Sequence, residues 1–155
     1  MTPAEAQRGH QAENGETEAL RREIEAFHAA AIGAHRRGDV EALVSDQSDD
    51  FVSISNGQIR CPTIDETRKG LEAYLGNTRF SEYRLLQEPI VGFSEDRTVA
   101  WSSVEMRVAG ERDTAGGEVV RFDTIWAWVT VFRRKGMSWE RIVESSSWRP
   151  GSESS

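Results

Sequence analysis

Glu118 to Ser147, EVVRFDTIWAWVTVFRRKGMSWERIVESSS, is the stretch on which the architecture turns. It is rich in Val, Ile, Trp, Phe and Thr, the residue types that fit a pleated, half-buried surface, and Arg134-Lys135-Gly136 breaks it in the middle. It reads as two long antiparallel strands. Setting Arg134 opposite Met137 across a tight turn assigns every side chain to one of two faces. One face receives Phe122, Trp126, Trp128, Phe132, Trp139 and Val143. The other receives Ile125, Ala127, Val129, Val131 and Ile142.

Working outward, Thr98 to Gly110 repeats the pattern, with the Gly116-Gly117 pair in the loop that follows it. An evenly closed loop, with Glu111 opposite Gly117, adds Val104, Met106 and Val108 to the first face and Val99, Trp101 and Ser103 to the second. Glu105, Arg107, Arg121, Asp123, Glu144 and Trp148 fall nearer one end of that second face. Phe80 to Phe93 supplies a fourth strand, and the four form an antiparallel meander. A sheet apolar on both sides needs two covers.

One cover lies upstream. Leu20, Ile24, Phe27, Ala31 and Ala34 recur three and four apart, which stripes one face of a helix over 16–37. Gly38 stops it, and Asp39 caps a short helix over 40–45. Phe51 to Ser55 alternates as a strand, Asn56-Gly57 turns it, and Gln58 to Cys61 returns as a short partner before Pro62. A third helix follows over 65–75, capped by Thr63 or Asp65. Helices first and long strands afterwards predict an α+β domain. Three N-terminal helices pack on a strongly curved, mainly antiparallel sheet of about six strands. Three short helices cover only one face, so the second cover is expected to be another copy of the chain in a homodimer. The competing expectation is that the sheet buries its outer face against its own loops and tail.

Composition narrows the function. The chain has 155 residues, 37% hydrophobic and 29% charged, with five Trp and six Phe, which fits a single soluble globular domain. Residues 1–15 and 151–155 have little to bury and are expected to be disordered, leaving 16–150 as the domain. Lys and Arg total 19 against 26 Asp and Glu, a formal charge of -7, which repels nucleic acid. Cys61 is the single cysteine, and with three histidines it forms no spaced metal-ligand set. Neither metal nor cofactor is expected. The absence of a signal-like or membrane-spanning apolar run points to the cytoplasm.

Four segments carry a resemblance. They are the helix exit RRGDVEALVSD (Arg36 to Asp46), the strand opening DDFVSISNG (Asp49 to Gly57), the strand entry FSEDRTVAWSSVEMRV, and the hairpin VTVFRRKGMSWERIVESSSWRP ending at Pro150. In this order the chain resembles the nuclear transport factor 2-like (NTF2-like, cystatin-like) superfamily, and within it the SnoaL-like proteins. The resemblance implies a cone in which a bent sheet wraps the first helix around a cavity for small molecules. It also implies dimers through the outer sheet face. The family includes ketosteroid isomerase, scytalone dehydratase, limonene epoxide hydrolase, polyketide cyclases and proteins that only bind or associate. The tyrosine and the base carboxylate of the isomerase fall at Ala31 and Ser55, and neither residue can transfer a proton near neutral pH. No Asp-Arg-Asp set matches that of the epoxide hydrolase.

The hairpin resemblance turns the face bearing Ala127 and Ile142 inward. The ligand wall then comprises Trp101, Ser103, Glu105, Ala127, Ala31, Ser55 and Trp148, holding a compact, mainly apolar or aromatic ligand. A carboxylate among tryptophans is a general-base candidate, Glu144 first and Asp123 second, with His28 assisting from the helix. The plainer alternative makes Glu105, Arg107, Arg121 and Asp123 a solvated cross-strand charge group. His35, beside two arginines, reads as solvated. Phe122, Trp126, Trp128, Phe132, Trp139 and Arg141 are left for the dimer interface, where aromatics are enriched. Two functions are therefore carried forward: a ligand pocket with acid–base chemistry of isomerase, cyclase or dehydratase type, and a non-catalytic association module with a vestigial cavity.

Overall fold

The structure, a computed structural model, describes residues 3–151, with side chains from Asn14 onward; the ends expected to be disordered lie partly outside that range. Three helices precede and interrupt a seven-stranded sheet. They are α1 (Pro3–Arg37), α2 (Val40–Val44) and α3 (Ile64–Gly76). The strands are β1 (Gln47–Ser55), β2 (Gln58–Arg60), β3 (Thr78–Leu85), β4 (Ile90–Phe93), β5 (Val99–Asp113), β6 (Val119–Lys135) and β7 (Ser138–Pro150).

Helix α1 starts well before Glu16, so the segment expected to be loose is helical from Pro3. Its buried stripe contains Ile24, His28 and Ala34. Gly38, at φ 70°, takes the left-handed conformation that ends the helix and lets the chain turn into α2. The Asp39 side chain accepts from the Ala42 amide at the start of α2. At α3, Thr63 and Glu66 exchange bonds with each other's backbone amides in a capping box.

Strand order is β2-β1-β7-β6-β5-β3, with β4 also on β5. The expected antiparallel run β5-β6-β7 is present. Pairing of β1 with β7 is parallel, which the meander reading did not anticipate. The single strand expected over Phe80 to Phe93 is two strands, because the chain leaves the ladder between Leu85 and Ile90, where Pro89 has no amide to donate.

Register departs from expectation in a way that matters. Lys135 pairs with Ser138, so the turn is Gly136-Met137, and Glu111 pairs with Arg121. These offsets are even and preserve the faces. Beyond them Val131 pairs with Val143 while Phe132 pairs with Arg141, leaving Ile142 as the extra residue of a bulge. The bulge reverses the parity of β7 beyond it, so Glu144 lies opposite Thr130 instead of Ala127.

The face bearing Phe132 is the concave one. Ala100, Val104, Met106 and Phe132 are buried there, and Ile24 of α1 joins Ala100, Val91 and Phe132 in one core cluster. A second cluster, Tyr83, Met106 and Val108, is flanked by Ile32, Phe122, Trp126 and Trp128. The expectation that Phe122, Trp126, Trp128, Phe132 and Trp139 form an exposed interface is thereby overturned: α1 already covers that side. The convex side carries Trp101, Val129, Ala127 and Ser103, with Trp101 and Val129 at 42% and 39% exposure.

Candidate functional site

A cavity of about 810 Å³ opens between α1, the α2–β1 corner, α3 and the concave face of β5, β6 and β7. Phe27, Phe51, Leu71, Trp126 and Trp128 give it an apolar wall, and Asp46, Arg141, Glu144, His35 and Tyr83 give it a polar one. Such a mixture, mostly apolar with a few convergent polar groups, is characteristic of small-molecule sites.

Arg141 organises the polar side. Its Nε donates to Asp46 Oδ2 at 2.9 Å, Nη1 to Glu144 Oε2 at 3.3 Å and Nη2 to the Leu43 carbonyl at 2.8 Å. The backbone closes the same corner, since the Arg141 amide donates to the Asp46 carbonyl at 2.7 Å. The bulge at Ile142 is what turns both Arg141 and Glu144 toward this corner, from positions three apart on one strand. Burial pushes the Asp46 carboxyl up, against the pull of Arg141. Burial also works against the Arg141 charge, but the Glu144 and Asp46 carboxylates outweigh it and hold its pKa above the ordinary value. A carboxylate–guanidinium–carboxylate set is thus assembled from two residues of one strand and a third, Asp46, that lies 95 positions away in the chain.

His35 is the third polar element. It turns inward, lining the cavity and stacking on Tyr83 with ring centroids 4.8 Å apart, so the solvated reading does not hold. Its Nδ1 lies 2.8 Å from the Ala31 carbonyl, which can only accept, so the proton is assigned to Nδ1 and Nε2 keeps the lone pair. Burial lowers its pKa, with the nearby Arg141 charge acting in the same direction, and the ring is neutral near pH 7. Burial raises the Tyr83 phenol, with Tyr74 and Glu144 adding to the shift. The hydroxyls of Thr67 and Thr130, both on the cavity wall, make no hydrogen bond to the protein.

Among the residues singled out from sequence, Glu144, His28 and Ala31 line this cavity. Glu144 arrives there through two compensating errors, an inverted face and an unforeseen bulge. His28 is held in the core, with Nε2 2.7 Å from the Ser102 hydroxyl and its pKa lowered by burial to about 4. Trp101, Ser103, Glu105 and Ala127 lie on the convex face, away from the cavity. Asp123 does too: it forms a two-point ion pair with Arg107 at 2.7 and 3.0 Å, and those bonds hold its carboxyl below the usual range. The plainer reading of that charge group is the better description, with Arg121 on Glu111 and Arg149 near Glu105. Ser55, at the end of β1, pairs with Gln58 and is not on the cavity wall, although Ser53 is. Trp148 is 55% exposed, its ring centroid 6.3 Å from that of Trp126.

The proposed interface residues also move. Trp126 and Trp128 line the cavity, Phe132 is fully buried, and Phe122 packs on Phe80. Trp139 donates from Nε1 to Glu23 of α1 at 2.8 Å. Arg141 belongs to the polar wall. Sequence reasoning missed Asp46 and His35. The two arginines beside His35 are local and point to solvent, whereas which side of α1 looks into the cavity is set by the sheet and is not written in the helix.

No family model matches the chain, and no curated protein matches it. Solved structures do. One is an NTF2-like protein from Cytophaga hutchinsonii, 19% identical, with a TM-score of 0.65 over 82% of this chain and 96% of that one. A ketosteroid isomerase-like protein from Erwinia carotovora atroseptica is 20% identical, with a TM-score of 0.61 over 81% and 93%. A third, from Exiguobacterium sibiricum and provisionally assigned as a calcium/calmodulin-dependent kinase II association domain, is 14% identical, with a TM-score of 0.67 over 86% and 96%. The chain therefore has the NTF2-like fold, α+β with a curved open sheet of seven strands among the described residues. Among its described residues no helix is long and apolar enough to cross a membrane, and no group of three or more His, Cys, Asp or Glu is placed to hold a metal ion.

Proposed function

We propose that residues 16–150 form a SnoaL-like, cytoplasmic small-molecule pocket protein. It binds a compact, largely apolar ligand and performs acid–base chemistry of isomerase, cyclase or dehydratase type on it. The observation that carries this reading is the cavity of about 810 Å³ with Asp46, Arg141 and Glu144 bonded together in its wall. A filled interior would have favoured a vestigial site. Glu144 is the base that faces the ligand, since its side chain is 36% exposed and it shares only one of Arg141's contacts. Asp46, with its raised pKa, is the neighbouring acid, and Arg141 positions both. His35 Nε2 supplies a second neutral acceptor.

Intrinsic tryptophan fluorescence and thermal shift test the reading together, because Trp126 and Trp128 line the wall. A true ligand at 100 times its dissociation constant stabilises by about 2.7 kcal/mol and changes the emission, and Glu144→Gln keeps binding while removing turnover. A flat response across small aromatic and polyketide-like compounds between pH 5 and 9 overturns it.

A second reading, a homodimer, draws on a different observation: among the described residues, Trp101 and Val129 of the convex face are left exposed. This face is the outer one, so the partner moves there from the aromatic face. Light scattering at a dimer mass, reverting to monomer in Trp101→Glu with Val129→Lys, is the expected result; an unchanged mass removes it.

A further inference from the structure

The cavity wall contains two guanidinium groups in unequal circumstances. Arg141 is paired, with three of its five N–H donors bonded to Asp46, Glu144 and the Leu43 carbonyl. Arg112, near the end of β5, is exposed at the rim, and among the described residues no carboxylate lies within ion-pair distance of it. Its neighbours are not like this. Arg79 is held by Asp113 at 2.9 Å, Arg121 by Glu111 at 3.2 Å, Arg107 by Asp123 at 2.7 Å and Arg84 by Glu82 at 3.0 Å. In a chain with 26 acidic residues and 19 basic ones, a rim arginine at this end of the sheet without a partner leaves a cation facing the cavity opening.

The inner wall has no surplus of positive charge, since its one guanidinium is bonded to the carboxyl groups of both Asp46 and Glu144. An anionic group driven inward would meet the Asp46 and Glu144 carboxyl groups, which already share the Arg141 charge. An anion is favourable only at the rim, where Arg112 stands beside Tyr74 closely enough for its charge to act on the phenol. Between the two ends lie Trp126, Trp128, Leu71 and Tyr74, surfaces for a flat apolar body.

We infer that the ligand is an aromatic or polycyclic monocarboxylic acid, bound with its carboxylate outward on Arg112 and its uncharged end against Asp46 and Glu144. This deepens the pocket reading and rests on it. It also fixes direction: the carboxylate positions, and the far end of the ring system meets the acid–base groups.

The test compares naphthalene-2-carboxylic and anthracene-2-carboxylic acids with their methyl esters, by tryptophan quenching and calorimetry at low salt. Each pair shares its ring body and differs in a charged carboxylate against an uncharged methyl ester. The acids are expected to bind about tenfold more tightly than the esters, an advantage that shrinks as salt screens the exposed pair. Arg112→Gln is expected to erase that difference by weakening the acids alone, and Arg121→Gln, outside the cavity, to leave it intact. Equal binding of acid and ester, or an Arg112→Gln loss shared by both, overturns the carboxylate assignment while leaving the pocket standing. If neither acids nor esters bind, the pocket reading falls and this inference with it.

Discussion

The two sides of strands β5, β6 and β7 carry apolar residues in similar measure, yet only one side is core. Phe132 and Ala100 are fully buried on the concave side, while Trp101 and Val129 on the convex side keep 42% and 39% of their exposure. The difference teaches that apolar content alone does not say which face a helix will cover. What separates the faces is how they treat polar groups. His28 with Ser102 and Arg141 with Asp46 are concave polar groups bonded across the fold, the Thr130 hydroxyl being an exception. Convex ones form half-exposed ladder pairs such as Arg107 with Asp123. A desolvated polar group without a partner costs free energy that an exposed one does not, so networks are required only inside.

The largest test of this contrast is truncation. Phe132→Ala is expected to lose about 3–5 kcal/mol, since the ring touches Phe27 of α1 and its loss leaves a void among buried Ile24, Val91 and Ala100. Val129→Ala, three residues away on the opposite face, should lose less than about 1 kcal/mol. Urea denaturation measures both. Comparable losses would mean that the convex face is also packed, and would erase the distinction.

A second test uses protons. His28 titrates at about 4 in the folded protein against an ordinary 6.5, because burial penalises its charged form. Between those values the unfolded chain binds the proton and the folded one does not. Stability is therefore full above pH 6.5, falls as the pH drops toward 4, and levels off below. The loss is on the order of 3 kcal/mol from this group. Burial depresses His35 as well, so it acts in the same direction. Thermal denaturation from pH 7.5 to 4 should show the decline in the wild type and a shallower one in His28→Gln. Identical slopes would place His28 in contact with water.

Much of the fold was legible in the sequence for physical reasons. The helix stripe around Ile24, the stop at Gly38 and the Asn56-Gly57 turn are local, and local rules reach them. The polarity of the sheet was not, because a strand apolar on both sides gives no sign of which side is concave. Nor was the bulge at Ile142, where nothing in Glu140 to Val143 departs from an ordinary strand. That one extra residue sends Glu144 to the face of Thr130. Asp46 looked like a loop acid after α2, and its partner Arg141 is 95 positions away in sequence. The cluster is a product of the parallel pairing of β1 with β7, a long-range contact that no local pattern announces. The Arg107–Asp123 pair, by contrast, joins adjacent strands and was open to a reading by register.

The smallest test concerns how the convex face seats its one large ring. A methyl group added at Gly92 would collide with the Trp101 indole, so this ring rests directly on bare backbone of the neighbouring strand, where Gly92 pairs with Trp101. On the concave side such a clash would have nowhere to go. Here the indole borders solvent and can swing aside, so Gly92→Ala is expected to cost about 1 kcal/mol rather than the larger penalties of an overfilled core. In a Trp101→Ser background the same change should become neutral or slightly stabilising, because alanine gives up less backbone freedom on folding than glycine does. A double-mutant cycle then yields a coupling of about 1 kcal/mol between the two positions. Zero coupling would mean that the indole does not rest on Gly92 in solution, and the convex face would be a looser surface than the ring's placement describes.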